Sequence, residues 1–551
     1  MSNLFSSFAA GGLAASLAAS LALLSPAHAA NNKGVLAVQE APLRAHLVFL
    51  SSDALEGRGT GQHGADLTVA YLETQAKAAG LAAVPGNAGG YRQPVKIAGV
   101  QALPGASSLR LQADGKNLPL VYGHDWVWGA GDARPALALN TELIFVGYGI
   151  SAPEEGWDDF KGINCEGKVL VALVNDPAPT AAEPARFGAK ALTYYGRWTY
   201  KFEEAKRRGA AGMLLIHTDA SASYGWNVVQ SSFGASERFQ LADGRGGTGL
   251  QGWLTDAAAR AVFKAGGQDL DKLRAAAERK DFRPIMLTSK VVGEMKSTVR
   301  NVEQFNIAGL VPGTDPKLKD EVVIYSAHWD HLGKQTGPGG GDTIYNGAVD
   351  NASGSAALLV MAKAAAAKPA RRSQMFLWVA AEEQGLLGST AYVSKPLWPL
   401  NKTAANLNLD SLNFVGATRD IGVEGSERSE LAKMAQGVAK NMGMQISKAA
   451  PDLAGGYFRS DHFSFAKAGV PAFSIEGGRI FLKNAAASRA KLAAYEKRYH
   501  QVSDEYDASW DLGGMTQQAQ FTLYLGQAVA NAPKMPAWKT GDAFGKVRAA
   551  K

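Results

Sequence analysis

Apolar residues recur at helical spacing over 42–80, with Leu43, Leu47, Val48 and Leu50 on one face. The glycine-rich stretch 56–61 breaks the run before it resumes to end at Gly80. Period-2 alternation at 91–100 and 108–111 predicts strands. Near Pro135 the pattern changes. The apolar runs 143–150, 168–174 and 213–216 read as short buried strands, with a helix over 200–208 among them, so a compact mixed unit is expected over 135–285. From Asn301 strand and helix alternate: strand 321–327, helix 352–368, strand 374–381, a helix around Ala391, strand 405–409. Alternation of this kind predicts an α/β fold, a mixed and mostly parallel sheet sandwiched by helices, carrying the smaller α/β unit as an insertion. The expected divisions are a leader at 1–29, a leading part of the main domain at 30–134, the insertion at 135–285, the rest of the main domain at 286–532, and an aperiodic, flexible tail at 533–551.

Composition narrows the functional classes. In 551 residues, 57 Lys and Arg stand against 50 Asp and Glu, a net +7 that is too diffuse for a nucleic-acid-binding arm. Cys165 is the only cysteine, which excludes an intrachain disulfide and a cysteine-rich zinc site and leaves a structural role for that thiol. No charged side chain precedes Lys33, and a segment of Ala, Leu, Gly and Ser ends in Ala27-His28-Ala29. This predicts a secretory signal cleaved after Ala29 and a periplasmic or secreted protein, although the basic residue that usually opens such a segment is missing. No later stretch is long and apolar enough to span a bilayer.

Candidate chemistry gathers in the second half. The predicted strands and their loops deliver His328-Trp329-Asp330-His331, then Asp350-Asn351, Glu382-Glu383 and Asp410, with His500 arriving late. In a doubly covered α/β sheet, ligands bind at the carboxyl ends of the strands. Carboxylates crowded at one such edge repel one another unless cations neutralise them or some are protonated. Imidazole with carboxylate and no thiolate suits zinc and tolerates cobalt or manganese. His331 and His462 read instead as structural, His462 with Asp461 as its partner. Gly337–Gly341 resembles a phosphate cradle only in composition, and the 57–61 loop lacks the strand that dinucleotide binding needs, leaving Arg58 available to touch substrate.

In its order of His-x-Asp, Asp-Asn, Glu-Glu, lone Asp, Ser460-Asp461-His462 and late His, the chain resembles the co-catalytic zinc aminopeptidases of peptidase family M28. Residues 135–285 also resemble the protease-associated domain that many members insert. The resemblance implies two zinc ions, one held by His328, Asp350 and Asp410, the other by Asp350, Glu383 and His500, with Asp350 shared. It implies Glu382 as general base toward the attacking water, Asp330 as acceptor of the second imidazole N–H of His328, Tyr457 as the phenol stabilising the oxyanion, and a cis peptide at Asp350-Asn351. The expected activity is removal of amino-terminal residues from peptides. Two alternatives stay open: carboxypeptidase or glutaminyl-cyclase chemistry within the same family, and a catalytically inactive protein that binds peptides or partners. No Gly-x-Ser-x-Gly elbow precedes a helix in the catalytic half, so a serine nucleophile has no support.

Overall fold

A computed structural model describes residues 37–551, apart from 114, 130, 223, 244–246, 336–340, 449, 450, 550 and 551. The expected leader at 1–29 and most of the Gly337–Gly341 loop therefore lie outside the described residues. Among the described residues no helix is long and apolar enough to cross a membrane.

At the centre of the main sheet the strands Ser373–Val379, Val322–His328, Thr403–Asn408 and Ala472–Gly477 lie side by side in that order, all parallel. Every residue of Val322–His328 and Ser373–Val379 is buried, as a strand covered on both faces requires. Alternate side chains serve the two faces: Val323, Tyr325 and Ala327 enter the core that includes helices Glu40–Leu50, Ser353–Ala367 and Gly513–Asn531. Val322 and Ile324 pack on the other side, with Tyr392 of Leu387–Ser394 and Phe465 of His462–Lys467. Antiparallel strands flank the centre, Asp420–Glu424 beside Ala472–Gly477 and the end of Ile285–Val311 beside Ser373–Val379. The sheet is the mixed, mostly parallel kind read from the sequence.

Ile285–Val311 runs for 27 residues and joins two sheets. Its latter part pairs with Arg92–Ala102 and Ser373–Val379, while its first part pairs with Ala136–Phe145 and Ser108–Ala113. The second sheet continues through Val169–Leu173, Gly212–His217 and Leu250–Thr255 to Trp126–Gly129. The change of pattern at Pro135 thus falls inside this second sheet, because Ser108–Ala113 and Trp126–Gly129 already belong to it. Cys165 is buried in one of its two cores.

The tail expected to be flexible is packed. Ala543–Ala549 is helical, and Phe544 is buried against Phe463 at a ring separation of 5.9 Å. Trp538 Nε1 donates to the Gly469 carbonyl at 2.9 Å, and Arg428 pairs with Asp542 at 2.9 Å. Two aromatic anchors make no period, so the sequence pattern missed a segment that long-range contacts hold.

Candidate metal centre

Each sheet-edge residue reaches the site from a different crossover. His328 ends the strand Val322–His328, Glu382-Glu383 follow Ser373–Val379, and Asp410 follows Thr403–Asn408. Asp350 precedes the helix Ser353–Ala367, and His500 lies on a loop beyond Ala485–Tyr495. The Asp350-Asn351 peptide is cis.

Asp350 turns one oxygen toward each of two histidines. Its Oδ1 lies 3.3 Å from His328 Nε2, and its Oδ2 lies 3.1 Å from His500 Nε2. Asp410 Oδ1 stands 3.3 Å from His328 Nε2, and Glu383 Oε2 stands 3.1 Å from His500 Nε2. Two ligands of one tetrahedral zinc, each about 2.0–2.2 Å from the ion, are about 3.4 Å apart, so these separations fit a pair of zinc ions sharing Asp350. All five sequence-predicted ligands are brought together. Glu382 remains beside them, its Oε2 4.0 Å from His328 Nε2.

The electrostatics are those of an anionic pocket. Burial raises Glu382, the neighbouring charges of Glu383, Asp410 and Asp461 raise it further, and only His328 opposes, so its carboxyl is held well above the usual range. Burial and the Asp350 charge push Glu383 up too, but His331 and His500 outweigh both and hold it down at about 2. Burial lowers His500, yet hydrogen bonds to Asp350 and Glu383 win and keep its imidazolium up at about 10.

Two sequence readings need correction. The Asp330 carboxylate lies 3.8 Å from His328 Nδ1, which instead contacts the Asp330 backbone carbonyl at 3.1 Å. That carboxylate accepts the amides of Glu382 at 3.0 Å and Glu383 at 3.3 Å, so Asp330 positions the acid pair while its backbone orients the histidine. Tyr457 does not face the cluster. Its hydroxyl donates to the Ala472 carbonyl at 3.2 Å, and its ring packs on His462 at 4.8 Å and over Gly425, where an added Cβ would come within 2.0 Å of it. Tyr499 is the cavity-lining phenol next to the cluster, stacked on His500 at 3.9 Å.

Three positions carry more than the sequence suggested. His331 is fully buried with Nδ1 2.7 Å from Glu383 Oε1 and 3.9 Å from Asp350 Oδ2, which makes it part of the cluster's framework and a possible donor in its own right. Arg58 is not among the residues that line the cavity over the cluster. It is buried and donates to the carbonyls of Trp329 at 2.8 Å, Asn346 at 2.7 Å and Gly347 at 2.9 Å, binding together the loops that bear Asp330 and Asp350. Asp504 accepts the amides of Val349 and Asp350, each at 3.1 Å, and fixes the shared ligand's backbone. His462 is buried as expected, but among the described residues no hydrogen bond joins it to Asp461.

The cluster floors a cavity of about 760 Å³. One wall comes from the second sheet's unit through Tyr194, Arg197 and Trp198, and another carries Glu424, Arg459 and Glu476. The two units are clamped at its rim, where Lys467 Nζ meets Glu203 Oε2 at 2.5 Å and the Tyr194 and Phe463 rings lie 4.8 Å apart.

Residues 306–524 match the model of Peptidase family M28. A probable leucine aminopeptidase of Arthroderma otae is 32% identical over 182 residues, 31% of this chain and 46% of that protein. A leucine aminopeptidase 2 of the same organism is 29% identical over 251 residues, 42% of this chain and 46% of that protein. The chain thus spans about half the length of the curated relatives it matches. Among solved structures, an aminopeptidase from Aneurinibacillus sp. strain AM-1 superposes with a TM-score of 0.49 at 17% identity, covering 92% of this chain and 97% of that one. A zinc aminopeptidase from Bacillus subtilis gives 0.39 at 15% identity, covering 91% and 100%.

Proposed function

We propose that the chain, whose residues 306–524 match the model of Peptidase family M28, is an exported, dinuclear zinc aminopeptidase of that family. The observation that carries the reading is Asp350 presenting one oxygen toward His328 and the other toward His500, with Asp410 and Glu383 completing the two sets. The donor set, nitrogen and carboxylate oxygen at tetrahedral spacing, fits zinc. When bound, two zinc ions supply Lewis acidity toward the scissile carbonyl and lower the pKa of water.

The rest is done by the chain's own side chains. Glu382 takes the proton of the attacking water and returns it to the leaving amine, a task that suits a carboxyl that burial raises above its usual range. Asp330 holds the Glu382 amide and thereby the reach of that base. His331 fixes Glu383 through its short contact, and Tyr499 offers a phenol to the developing oxyanion from the cavity wall. Glu424 and Glu476 line the same cavity, and no cation lies within ion-pair distance of either among the described residues. An acid wall of this kind suits the free ammonium of a peptide, and the relatives' names agree with that end of the substrate. Export rests on the Ala27-His28-Ala29 pattern of the leader.

The test is hydrolysis of leucyl peptides with free and acetylated amino ends, before and after chelation. Release from the free amine alone, lost on chelation and regained with zinc, is expected. Equal release from the acetylated peptide would refute amino-end recognition.

A further inference from the structure

We propose that Arg197 and Arg459 form a clamp for the terminal carboxylate of a short peptide, so that the preferred substrates are small free-acid peptides. The inference rests on the exopeptidase reading and names its substrate class. The two arginines line the same cavity from different elements. Arg197 stands at the start of the helix Trp198–Arg207 in the second sheet's unit, and Arg459 follows the turn Gly456–Phe458, next to Ser460, whose hydroxyl holds Asp410 at 2.8 Å. Among the described residues neither has a carboxylate within ion-pair distance. Arg197 makes one long bond, 3.4 Å from Nη1 to the Ala454 carbonyl, and its Nε is buried without a partner. Burial lowers Arg197 to about 10, with the positive charge of Arg459 adding to the effect against weaker pulls from Tyr224 and Asp452.

Lys467, which lines the same cavity, is satisfied by Glu203. The arginines are therefore the cavity's cations left without a counter-charge. Arg197, disfavoured as a cation by burial and by Arg459 and left with an orphaned buried N–H, is stabilised when an anion joins it, and a carboxylate matches the planar forks of both arginines. A peptide zwitterion satisfies both sides, its ammonium facing the acids and its carboxylate the arginines. At about 760 Å³ the cavity lies in the usual range for small-ligand sites, roughly 300–1,000 Å³, which suits a short peptide rather than a folded chain end.

Calorimetric titration of the zinc-loaded full chain carrying Glu382→Gln, with leucyl-glycyl-glycine and with its terminal amide, reads the clamp without turnover. The free acid is expected to bind about tenfold tighter or more, as charge-assisted hydrogen bonds imply. That advantage should shrink to within about twofold when Arg459→Met or Arg197→Met is added, with the amide's affinity unchanged. Arg459 is exposed, so its replacement keeps the test decisive even if the Arg197 variant fails to fold. Equal binding of acid and amide, or an acid advantage that survives Arg459→Met, overturns the clamp. Failure of the exopeptidase reading is seen separately, as no leucine released from either peptide by the unsubstituted enzyme, and leaves the binding ratio to decide the clamp on its own.

Discussion

Arg58 shows what a single side chain does for this centre without touching a substrate. Its guanidinium is buried against three loop carbonyls that lead into Asp330 and Asp350. Arg58→Met would leave the Trp329 and Asn346 carbonyls unpaired in the interior, Gly347 still accepting the Ala352 amide, and a loss of about 3–5 kcal/mol is expected from the breaking of a buried charged network. Denaturant unfolding of the metal-free chain measures it, and a loss under about 1 kcal/mol would contradict the role. Glu424 sets a pH dependence. Burial raises it to about 8, with Glu476, Asp452 and Glu427 adding to the shift, and burial raises Glu476 to about 7. Both ionise as pH rises through that window, while a peptide's α-amino group loses its proton at about 7.7–8.0, so KM for free-amine peptides should fall as pH rises from about 6 toward about 7.5 and rise again above about 8.5, the fall being smaller in Glu424→Gln. The linkage to folding has the opposite sign. A carboxyl raised in the folded state contributes stability below its ordinary pKa and loses it as pH rises through about 8, so Glu424→Gln should melt higher than its parent at pH 9. The clustering of His328, Asp350, Glu382, Glu383, Asp410 and His500 was legible through the resemblance that their residue types and order carry. Arg58 and Asp504 were not, since nothing near position 58 or 504 announces a partner some 290 or 150 residues away. Tyr457 misled for the converse reason: its place beside Ser460-Asp461-His462 is right, but its ring packs over Gly425.

Helix Leu387–Ser394 shows how elements aim the acid pair. Its Gly388 sits against the end of the strand that carries Glu382 and Glu383, and an added Cβ would stand 2.2 Å from the Ala380 carbonyl and 2.6 Å from the Ala380 amide. Backbone cannot yield as a side-chain tip does, so Gly388→Ala should cost about 1–3 kcal/mol by overpacking. The same displacement should lower kcat more than tenfold, because a misplacement near 1 Å is costly to a general base. Normal stability with normal kcat would contradict this account of how the strand end is held. The parallel strands themselves were readable from their unbroken apolar runs. The 27-residue strand Ile285–Val311 was not, because its alternation continues while its partners change from one sheet to the other.

At the scale of the molecule, the second sheet's unit completes the cavity over the carboxylate cluster rather than standing apart from it. Tyr194, Arg197 and Trp198 wall the space floored by the carboxylates, and Glu203 clamps Lys467 at the rim. The main domain was visible in strand and helix alternation, whereas the joint between the two units and the docked tail around Phe544 depend on contacts that no local period encodes. What the whole assembly is built to do turns on whether Asp350 is shared by two ions, since both ligand sets and the freedom of Glu382 follow from it. The direct measurement is zinc content per folded chain after saturation and removal of free metal, for the unsubstituted protein and for Asp350→Ala. About two zinc ions per chain, with both sites losing affinity together in the variant, is the predicted result. A folded chain that takes up none, or an Asp350→Ala variant that still holds two as tightly, would contradict the shared centre and the mechanism built on it.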